Sequence, residues 1–364
     1  MRSSCGRSDR IESAFGDNLK VTIFGGSHEP EIGCVIEGLP AGAIDGIDME
    51  ELQAFMDRRA PGRNEFSTPR KENDIPVLKS KDPLTFIIEN KNARSSDYKK
   101  LGNIPRPGHA DFTAHIKYGD DINMAGGGPF SGRMTAPLCI AGGIAKQILK
   151  AKGVTVCARI RSVHGINDTP INYAGVTANE IEAVSAKGFP VMDDNAGEKM
   201  KDEIRAAKAR GDSVGGKVEV VAVGCPAGLG SPMYGGAESV MSRVFFGIPA
   251  VKAVEFGAGC DVSEMLGSEN NDPFTAAGGE IKTATNNAGG ILGGITDGMP
   301  IIAKLAFKPT PSISIEQDSV DMETMKPAKL VIQGRHDPCV VLRAVPVAEA
   351  AMALAILDMM MEGK

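Results

Sequence analysis

The sequence predicts a mixed α/β protein with one continuous core. Of the 364 residues, 42% are hydrophobic and 24% are charged, which is typical of a globular protein rather than a disordered chain. Segments rich in β-branched residues and segments with helical periodicity both occur along the chain. No repeat, low-complexity tract or Pro/Ser-rich linker separates them, so we expect a single domain over residues 1–364 rather than two separable ones.

Eight segments have the composition of strands, because they are rich in β-branched or aromatic residues and are bounded by Gly, Pro or Asn. Several of them alternate apolar and polar residues, which predicts at least one sheet with a covered face and a wetter face. The segments are Lys20–Phe24, Ile32–Ile36, Leu84–Glu89, Val154–Val163, Val218–Val223, Val251–Phe256, Pro300–Phe307 and Leu330–Gln333.

Four segments have the apolar spacing of helices. Asp48, with Glu51 three residues later, provides a capping-box-like start for the first, and Gly153 and Gly211 end the second and third. The fourth consists almost entirely of apolar residues, which predicts burial in the core or in a subunit interface. The four helices are Met49–Arg59, Thr135–Lys152, Ala196–Arg210 and Val347–Met361.

The charge balance and the cysteines exclude several classes of protein. A net charge of −6, from 40 basic and 46 acidic residues, gives no broad positive field for nucleic acid or an anionic membrane. The seven cysteines are scattered without a C-x-x-C pair, which predicts reduced core residues rather than disulfides or a zinc site. No run of about eighteen apolar residues occurs, and none follows the basic N-terminal residues. We therefore expect a soluble, cytoplasmic protein.

Glycine is in excess, with 44 residues among 364 against a background of about 7%. The glycines stand in short clusters between apolar runs, which predicts ordered loops that turn with positive φ or approach a ligand closely. A Gly-rich turn before a helix presents backbone N–H groups to an anion, and the clusters at 126–133 and 286–294 suit this role. Neither cluster has the spacing of a P-loop or a Rossmann turn.

Three of the five histidines stand in loops constrained by Gly or Pro. His28 lies in G-G-S-H-E-P, His109 in R-P-G-H-A-D and His336 in G-R-H-D-P. Loops carry many catalytic groups, and histidine titrates near neutral pH, so these positions indicate proton transfer. The alternative is that such histidines are solvated or cap nearby backbone. No H-x-x-x-H or H-x-x-E-H spacing indicates a metal site.

Arginines accumulate in the same rigid loops. A guanidinium group binds phosphate and carboxylate in a bidentate manner, so this concentration favours an anion pocket over the alternative of a solvated charged face. From residue types alone, the sequence indicates an α/β enzyme with an arginine-rich anion site and does not specify its reaction. The arginines are Arg58, Arg59, Arg63, Arg70, Arg106, Arg133, Arg335 and Arg343.

Seven collinear blocks cover nearly the whole chain. They are G-G-S-H-E-P-E-I-G-C-V-I-E-G-L-P-A-G at 25–42, D-R-R-A-P-G-R, R-P-G-H-A-D-F-T-A-H-I-K-Y-G, G-G-G-P-F-S-G-R-M-T-A, N-N-A-G-G-I-L-G-G-I, K-P-T-P-S-I and R-H-D-P-C-V-V-L-R-A-V-P-V-A-E-A. In this order they resemble the chorismate synthase family. The resemblance implies an α+β fold, a β-α-β sandwich with helices between two antiparallel sheets, assembled as a homotetramer.

The resemblance also implies a reaction. Members of the family convert 5-enolpyruvylshikimate 3-phosphate into chorismate, the last step of the shikimate pathway in aromatic amino acid biosynthesis. They are carbon–oxygen lyases that eliminate phosphate and a proton in a 1,4-anti sense, and they require reduced FMN although no net redox change occurs. We therefore expect a flavoprotein that holds a trianionic substrate against a flat cofactor, without a metal ion.

By the same resemblance, three residues would carry the chemistry. His28 would assist the departing phosphate, and His109 would hold a proton near the reduced flavin. Asp337, in R-H-D-P, matches a family aspartate that acts with nitrogen 5 of the flavin, the atom that takes the substrate proton.

The resemblance also implies two sets of ligands. The residues expected at FMN are Pro129, Phe130, Ser131, Pro249, Ala250, Gly293, Lys308, Pro309, Thr310, Pro311, Ser312 and Arg335. The residues expected at the anionic groups of the substrate are Ser27, Arg59, Arg63, Arg133 and Arg343.

The sequence departs from the family pattern in two places. Arg59 also matches an arginine that the family assigns to NADP, but Glu65 stands where the second such arginine is expected, which leaves flavin reduction by NADPH open. Gly26 and Glu29 flank His28 where many members have G-E-S-H-G, so we expect altered loop geometry with the chemistry retained.

Two alternatives remain beside this assignment. One is a flavin- or nucleotide-dependent enzyme that acts on another phosphorylated ligand. The other is a regulatory or nucleic-acid-binding protein built on the arginine cluster. The absence of Trp, the presence of only four Tyr and the net charge of −6 count against the second alternative.

Overall fold

Two five-stranded antiparallel sheets enclose a layer of helices in the computed structural model. The structure describes residues 13–39, 42–62, 64–68, 73–90, 103–119, 123–277, 279–332 and 336–362. The strands are β1 Ser13–Phe15, β2 Lys20–Gly25, β3 Glu31–Glu37, β4 Val77–Lys81, β5 Leu84–Glu89, β6 Thr155–Val163, β7 Ile166–Asn167, β8 Gly216–Val223, β9 Val251–Phe256, β10 Phe274–Ala277, β11 Glu280–Thr283, β12 Ile291–Leu292, β13 Ile295–Thr296, β14 Ile301–Phe307, β15 Gln317–Asp321 and β16 Lys326–Leu330. The helices are α1 Met49–Arg59, α2 Asp111–Tyr118, α3 Thr135–Lys150, α4 Ala178–Ser185, α5 Asp194–Ala209, α6 Ala237–Gly247, α7 Gly267–Asn270 and α8 Val341–Met360.

The strand order explains how the two sheets are built. The first sheet runs β1-β2-β3-β5-β4, and the second runs β7-β6-β8-β14-β9. Three further strand pairs, β10-β11, β12-β13 and β15-β16, form separate hairpins. Helix α3 packs against β3 and β5 of the first sheet, and α8 packs against β6 and β8 of the second. The sandwich expected from the resemblance is therefore confirmed. Most buried side chains of both sheets and the helices form one large cluster, and a smaller second cluster contains Cys157, Val176, Ile181, Val221 and Ile302.

Helix α3 approaches both α8 and α1 closely because it carries two adjacent glycines, one facing each neighbour. A Cβ atom at Gly142 would overlap Ala350 of α8, and one at Gly143 would lie 2.6 Å from Leu52 of α1. The missing side chains therefore leave room for both neighbouring helices. This contact places α1, and with it Arg59 at its last turn, against the centre of the helical layer.

Helix α1 follows its sequence signals closely. Asp48 caps it, because its carboxylate accepts hydrogen bonds from the backbone N–H of Glu50 at 2.8 Å and of Glu51 at 3.1 Å. The predicted apolar stripe of Leu52, Phe55 and Met56 is buried. The predicted helix over 49–59 is confirmed at both ends.

The last helix differs from the prediction in length and in role. It begins at Val341 rather than at Val347, with Pro346 inside it. A proline in the second turn removes one backbone hydrogen bond, and burial of nearly the whole helix offsets that loss. Because α8 is buried within its own chain, the alternative of a subunit interface for this segment is wrong.

Other elements also differ from the sequence prediction. The segment predicted as a strand at Leu330–Gln333 is one only at Leu330, since β16 ends there, and position 333 lies outside the described residues. Helices α2, α4, α6 and α7 were not predicted. Helices α2 and α4 have eight residues each and α7 has four, which is too short for a clear helical period, whereas α6 has eleven, as many as α1. No helix within the described ranges is long and apolar enough to cross a bilayer.

Candidate active site

Loops from six parts of the chain enclose a cleft of about 390 Å³. These loops follow α1, precede α2 and α3, separate α6 from β9, follow β14 and precede α8. The lining residues are Arg59, Pro61, Thr68, Arg106, Gly108, His109, Ala110, Gly126, Gly127, Phe130, Ser131, Gly132, Arg133, Pro249, Ala250, Lys308, Thr310, Pro311, Ser312, His336, Asp337, Val340 and Arg343.

Arg59 is held from three sides at the end of α1. Its Nε donates to Oγ1 of Thr135 at 3.1 Å, and its Nη2 donates to the carbonyl oxygen of Gly132 at 3.0 Å. Its Nη1 donates to the carboxylate of Asp74. The side chain is 2% exposed, so the guanidinium is a fixed part of the cleft wall.

A second arginine shares the same carboxylate. Nη1 of Arg133 donates to the other oxygen of Asp74, and Nε of Arg133 donates to Oδ1 of Asn90 at 3.2 Å. Burial alone would raise the pKa of Asp74, but the positive charges of Arg59 and Arg133 outweigh it and hold that pKa below its usual value. Asp74 is therefore ionised at neutral pH.

The third arginine connects this pair to Asp337. Nη1 of Arg343 donates to Oδ2 of Asp337 at 2.6 Å, and its Nε donates to the backbone oxygen of Arg59 at 3.0 Å. The backbone N–H of Thr68 donates to Oδ1 of Asp337 at 2.7 Å. Both oxygens of the Asp337 carboxylate therefore have donors, and the group has a fixed orientation at the cleft.

Arg106 and Lys308 bring further positive charge to the cleft. Arg106 forms a bidentate pair with Asp111, through Nε and Nη2 at 2.7 Å each, which ties the loop before α2 to the first turn of that helix. The ammonium group of Lys308 donates to the carbonyl oxygen of Gly108. Burial and the nearby Lys252 lower the pKa of Lys308.

His109 has both ring nitrogens in hydrogen bonds. Its Nδ1 lies 3.1 Å from the carbonyl oxygen of Pro107, and its Nε2 lies 2.8 Å from Oγ of Ser312. A carbonyl oxygen only accepts, so Nδ1 carries the proton and Nε2 accepts from the serine in the neutral ring. Burial, together with the charge of Arg106, lowers the pKa of His109 to about 4.

His28 lies behind the glycine loop that forms part of the cleft wall. Gly126, Gly127 and Gly128 have φ values of 64°, 93° and 51°, as the glycine cluster predicts. A Cβ atom at Gly126 would overlap the His28 ring, so only glycine permits this contact. Ser27 lies in the same turn, with its Oγ 3.2 Å from Nδ1 of His28. Neither Ser27 nor His28 lines the cleft surface itself.

Part of the cleft wall is bare backbone. A Cβ atom at Gly132 would meet no atom within 4 Å, and one at Gly127 would meet only the Ser131 side chain at 3.5 Å. Ala250, also at the wall, has a left-handed φ of 75°, and strain of this kind is typical of functional sites. A flat ligand can therefore lie against this wall, and the ammonium group of Lys308 suits a phosphate, so the residues present fit FMN.

The structure brings most of the predicted site residues together. His109, Asp337, Arg59, Arg133 and Arg343 line the cleft. The predicted flavin residues at its surface are Phe130, Ser131, Pro249, Ala250, Lys308, Thr310, Pro311 and Ser312.

Other predicted residues are placed elsewhere. Pro129 and Pro309 adjoin lining residues in sequence without lining the cleft. Gly293 lies in the turn between β12 and β13 and is not among the lining residues. Arg63 and Arg335 lie outside the described residues. Glu65 forms an exposed ion pair with Arg205 of α5 at 2.7 Å.

Sequence reasoning missed three of the residues that build the site. Asp74 stands in K-E-N-D-I-P at 71–76, with no local pattern that marks it. Asp111 and Thr68 likewise act only through contacts that folding creates. Among the described residues, no group of three His, Cys, Asp or Glu side chains is placed to hold a metal ion.

Comparison with known proteins agrees with this geometry. The family model described as chorismate synthase matches residues 19–361. The chorismate synthase of Lancefieldella parvula is 47% identical over 96% of this chain and 96% of its own length. That of Thermococcus gammatolerans is 44% identical over 96% of this chain and 98% of its own length.

A solved structure supports the fold. A crystal structure of a chorismate synthase superposes with a TM-score of 0.72 over 95% of this chain and 93% of that one, at 23% identity. The family model and the two relatives carry the assignment beyond the fold, because they match nearly the whole chain. The chain therefore belongs to the chorismate synthase family, a family of lyases, and its function is the one that gives the family its name.

Proposed function

We propose that this cleft converts 5-enolpyruvylshikimate 3-phosphate into chorismate and phosphate, with reduced FMN beside the substrate. The observation that carries the proposal is the charge of the cleft. Within the described part of the chain, the network of Arg59, Arg133 and Arg343 includes two carboxylates, Asp74 and Asp337, and so has a net charge of +1.

Lys308 adds one more positive charge, while Arg106 is balanced by Asp111. A substrate that carries one phosphate and two carboxylates needs an excess of this kind, since burying it beside neutral walls would be costly. The cationic side chains therefore bind and orient the substrate.

The elimination breaks the C–O bond to phosphate and removes a ring proton in the 1,4-anti position, so that a second ring double bond forms. We assign His28 to the departing phosphate, because its ring lies directly behind Gly126 at the cleft wall. A proton or positive charge there stabilises the developing phosphate charge. Ser27 supports the orientation of His28 through the Oγ to Nδ1 contact at 3.2 Å.

His109 is neutral in the ligand-free protein at pH 7, since its pKa is about 4. An anionic ligand placed in the cleft would raise that pKa by offsetting Arg106 and Lys308. We therefore assign His109 to holding a proton at Nδ1 and, once the ligands are bound, a second one at Nε2. Ser312 and Pro107 fix the plane of the ring for this role.

Reduced FMN, when bound, supplies the electron-rich ring that assists loss of phosphate and takes up the substrate proton. We propose that the bare backbone at Gly127 and Gly132 and the left-handed turn at Ala250 hold this flat ring. Asp337, oriented by Arg343, would lie against it. Gly293 does not line the cleft in this chain, and its contact with FMN stays a prediction.

The same geometry bears on NADPH. Arg59 is buried with three nitrogens bonded to protein, which favours substrate over a dinucleotide as its ligand. Glu65, at the second expected NADP position, is bonded to Arg205 instead. We therefore propose that the flavin is reduced by an external donor rather than by NADPH on this chain.

We further propose one domain, cytoplasmic location and assembly as a homotetramer. Large apolar side chains exposed on the described surface support assembly, because a monomer rarely leaves so much apolar area in water. Among the most exposed are Met233, Tyr234, Leu266, Phe274 and Ile281.

Anaerobic incubation with 5-enolpyruvylshikimate 3-phosphate and dithionite-reduced FMN tests the proposal. We expect chorismate and phosphate in equal amounts, and no turnover with oxidised FMN. Replacing dithionite by NADPH tests the flavin-reduction proposal separately, with no turnover expected. Absence of phosphate release with reduced FMN would refute the proposed reaction.

A further inference from the structure

Asp74 is a buried carboxylate that joins two arginines of the cleft without reaching the cleft itself. The residue is 0% exposed and does not line the cleft. Oδ2 accepts from Nη1 of Arg59, and Oδ1 accepts from Nη1 of Arg133. The two arginines come from the end of α1 and from the turn before α3, and Asp74 is the group that bridges them.

Other hydrogen bonds of the two arginines show what Asp74 adds. Thr135 and the carbonyl oxygen of Gly132 anchor Nε and Nη2 of Arg59, and Asn90 anchors Nε of Arg133. Each of these anchors holds one arginine only. Asp74 is bonded to both, so it sets the distance between the two guanidinium planes as well as their tilt.

The charges make this bridge necessary. Two guanidinium groups brought to one wall repel each other, and a buried medium strengthens that repulsion. One carboxylate between them reduces the pair from +2 to +1, which keeps them adjacent and still attractive to an anion. Arg133 is the less buried of the two, at 9% against 2% side-chain exposure, so we expect loss of the carboxylate to displace Arg133 more than Arg59.

We propose that Asp74 is a positioning residue that holds Arg59 and Arg133 at the spacing needed to bind one anionic group of the substrate between them. The proposal rests on the proposed function of the cleft. Asp74 touches neither substrate nor flavin, and it acts only through the two arginines.

A matched control exists in the same molecule. Glu349 of α8 is also 0% exposed and also bridges two cations, Arg58 and Lys146. None of these three residues lines the cleft. Glu349→Gln therefore reproduces the loss of a buried, twice-paired carboxylate without disturbing the proposed anion site.

Steady-state kinetics with Asp74→Asn separates a positioning role in substrate binding from a role in stability alone. We expect KM for 5-enolpyruvylshikimate 3-phosphate to rise about tenfold or more, with FMN affinity unchanged within about twofold. Glu349→Gln should lower the melting temperature at least as much as Asp74→Asn does, while leaving KM near the wild-type value. A wild-type KM in Asp74→Asn, or an equal rise in Glu349→Gln, would overturn the proposal.

Two additions keep the test decisive. If Asp74→Asn fails to fold, Thr135→Val removes one anchor of Arg59 at nearly constant volume and should raise KM in the same direction, and a wild-type KM in that variant would count against the proposal. Calorimetric binding of inorganic phosphate needs no turnover, so it separates this inference from the proposed reaction. Weaker phosphate binding by Asp74→Asn than by wild type supports the positioning role, and equal affinity contradicts it.

Discussion

Nε2 of His109 lies 2.8 Å from Oγ of Ser312, a residue 203 positions later in the chain. This bond joins the loop before α2 to the loop after β14 at the cleft. Because Nδ1 of His109 donates to the carbonyl oxygen of Pro107, Ser312 must donate to Nε2 in the neutral ring. The contact therefore stabilises neutral His109.

His109 should titrate far below an ordinary histidine in the ligand-free protein. We expect a pKa of about 4 by NMR of the ring, against about 6.5 when unfolded. Between these two values the unfolded chain binds more protons, so this residue makes the protein less stable as pH falls from about 6.5 to 4. A pKa above 6 in the free protein would contradict the assignment.

Ser312→Ala tests whether the Ser312 hydroxyl adds to the effect of burial and of Arg106 on the pKa of His109. Removing the hydroxyl donor takes away one contact that favours the neutral ring, so the pKa of His109 should rise toward the usual value. Ser314→Ala is the matched control, since its bond to Gly211 uses the backbone N–H. Identical titration curves for the two variants would argue against a role of Ser312.

Substitution by alanine should affect ligand binding at one glycine of the cleft loop and stability at another. Gly132→Ala adds a methyl group that meets no protein atom, so the fold should be kept while FMN or substrate binding weakens about tenfold. Gly126 has a φ of 64°, and a Cβ atom there would overlap the His28 ring. Gly126→Ala should therefore cost about 1–2 kcal/mol of stability or more. Flavin titration and urea denaturation of both variants check this contrast. Unchanged ligand affinity in Gly132→Ala would contradict the proposed wall.

The helical layer should be sensitive to a single methyl group at Gly142. Gly142→Ala overlaps Ala350 of α8, and overpacking of this kind costs about 1–3 kcal/mol. Gly188→Ala is the control, because a Cβ there meets nothing within 4 Å. Denaturant midpoints should fall for the first variant and stay near wild type for the second. Equal midpoints would show that α3 and α8 are not in close contact.

Glu349 should make stability depend on acid pH. Burial would raise its pKa, but Arg58 and Lys146 outweigh burial and lower the pKa to about 2. Between pH of about 4.5 and 2, Glu349 is therefore protonated in the unfolded chain but still ionised in the folded chain. About 3 kcal/mol of stability is lost as pH falls through this range. In Glu349→Gln this part of the pH dependence should vanish. A pH profile parallel to wild type would contradict the assignment.

Local signals predicted the elements that local contacts determine. Helix α1 and the positive φ values of Gly126 and Gly127 were predictable, because a cap, a stripe and a glycine cluster act within a few residues. The start of α8 was not, since burial of the whole helix outweighs the penalty of Pro346.

The residues of the candidate site also divide into those that local sequence predicted and those that it did not. Loop histidines and arginines indicated an anion site, and the resemblance to a family supplied the reaction. Asp74 could not be found from its neighbours, because its partners lie 15 and 59 positions away. The same holds for the pKa of His109, because the burial that lowers it is created only when the chain folds.

The most direct test of the account is the anaerobic single-turnover rate of phosphate release with reduced FMN, compared among wild type, His28→Ala and His109→Ala. If this cleft performs the elimination, both variants should be slower by about a hundredfold or more, with FMN affinity largely retained. Wild-type rates of phosphate release in both variants would contradict the account.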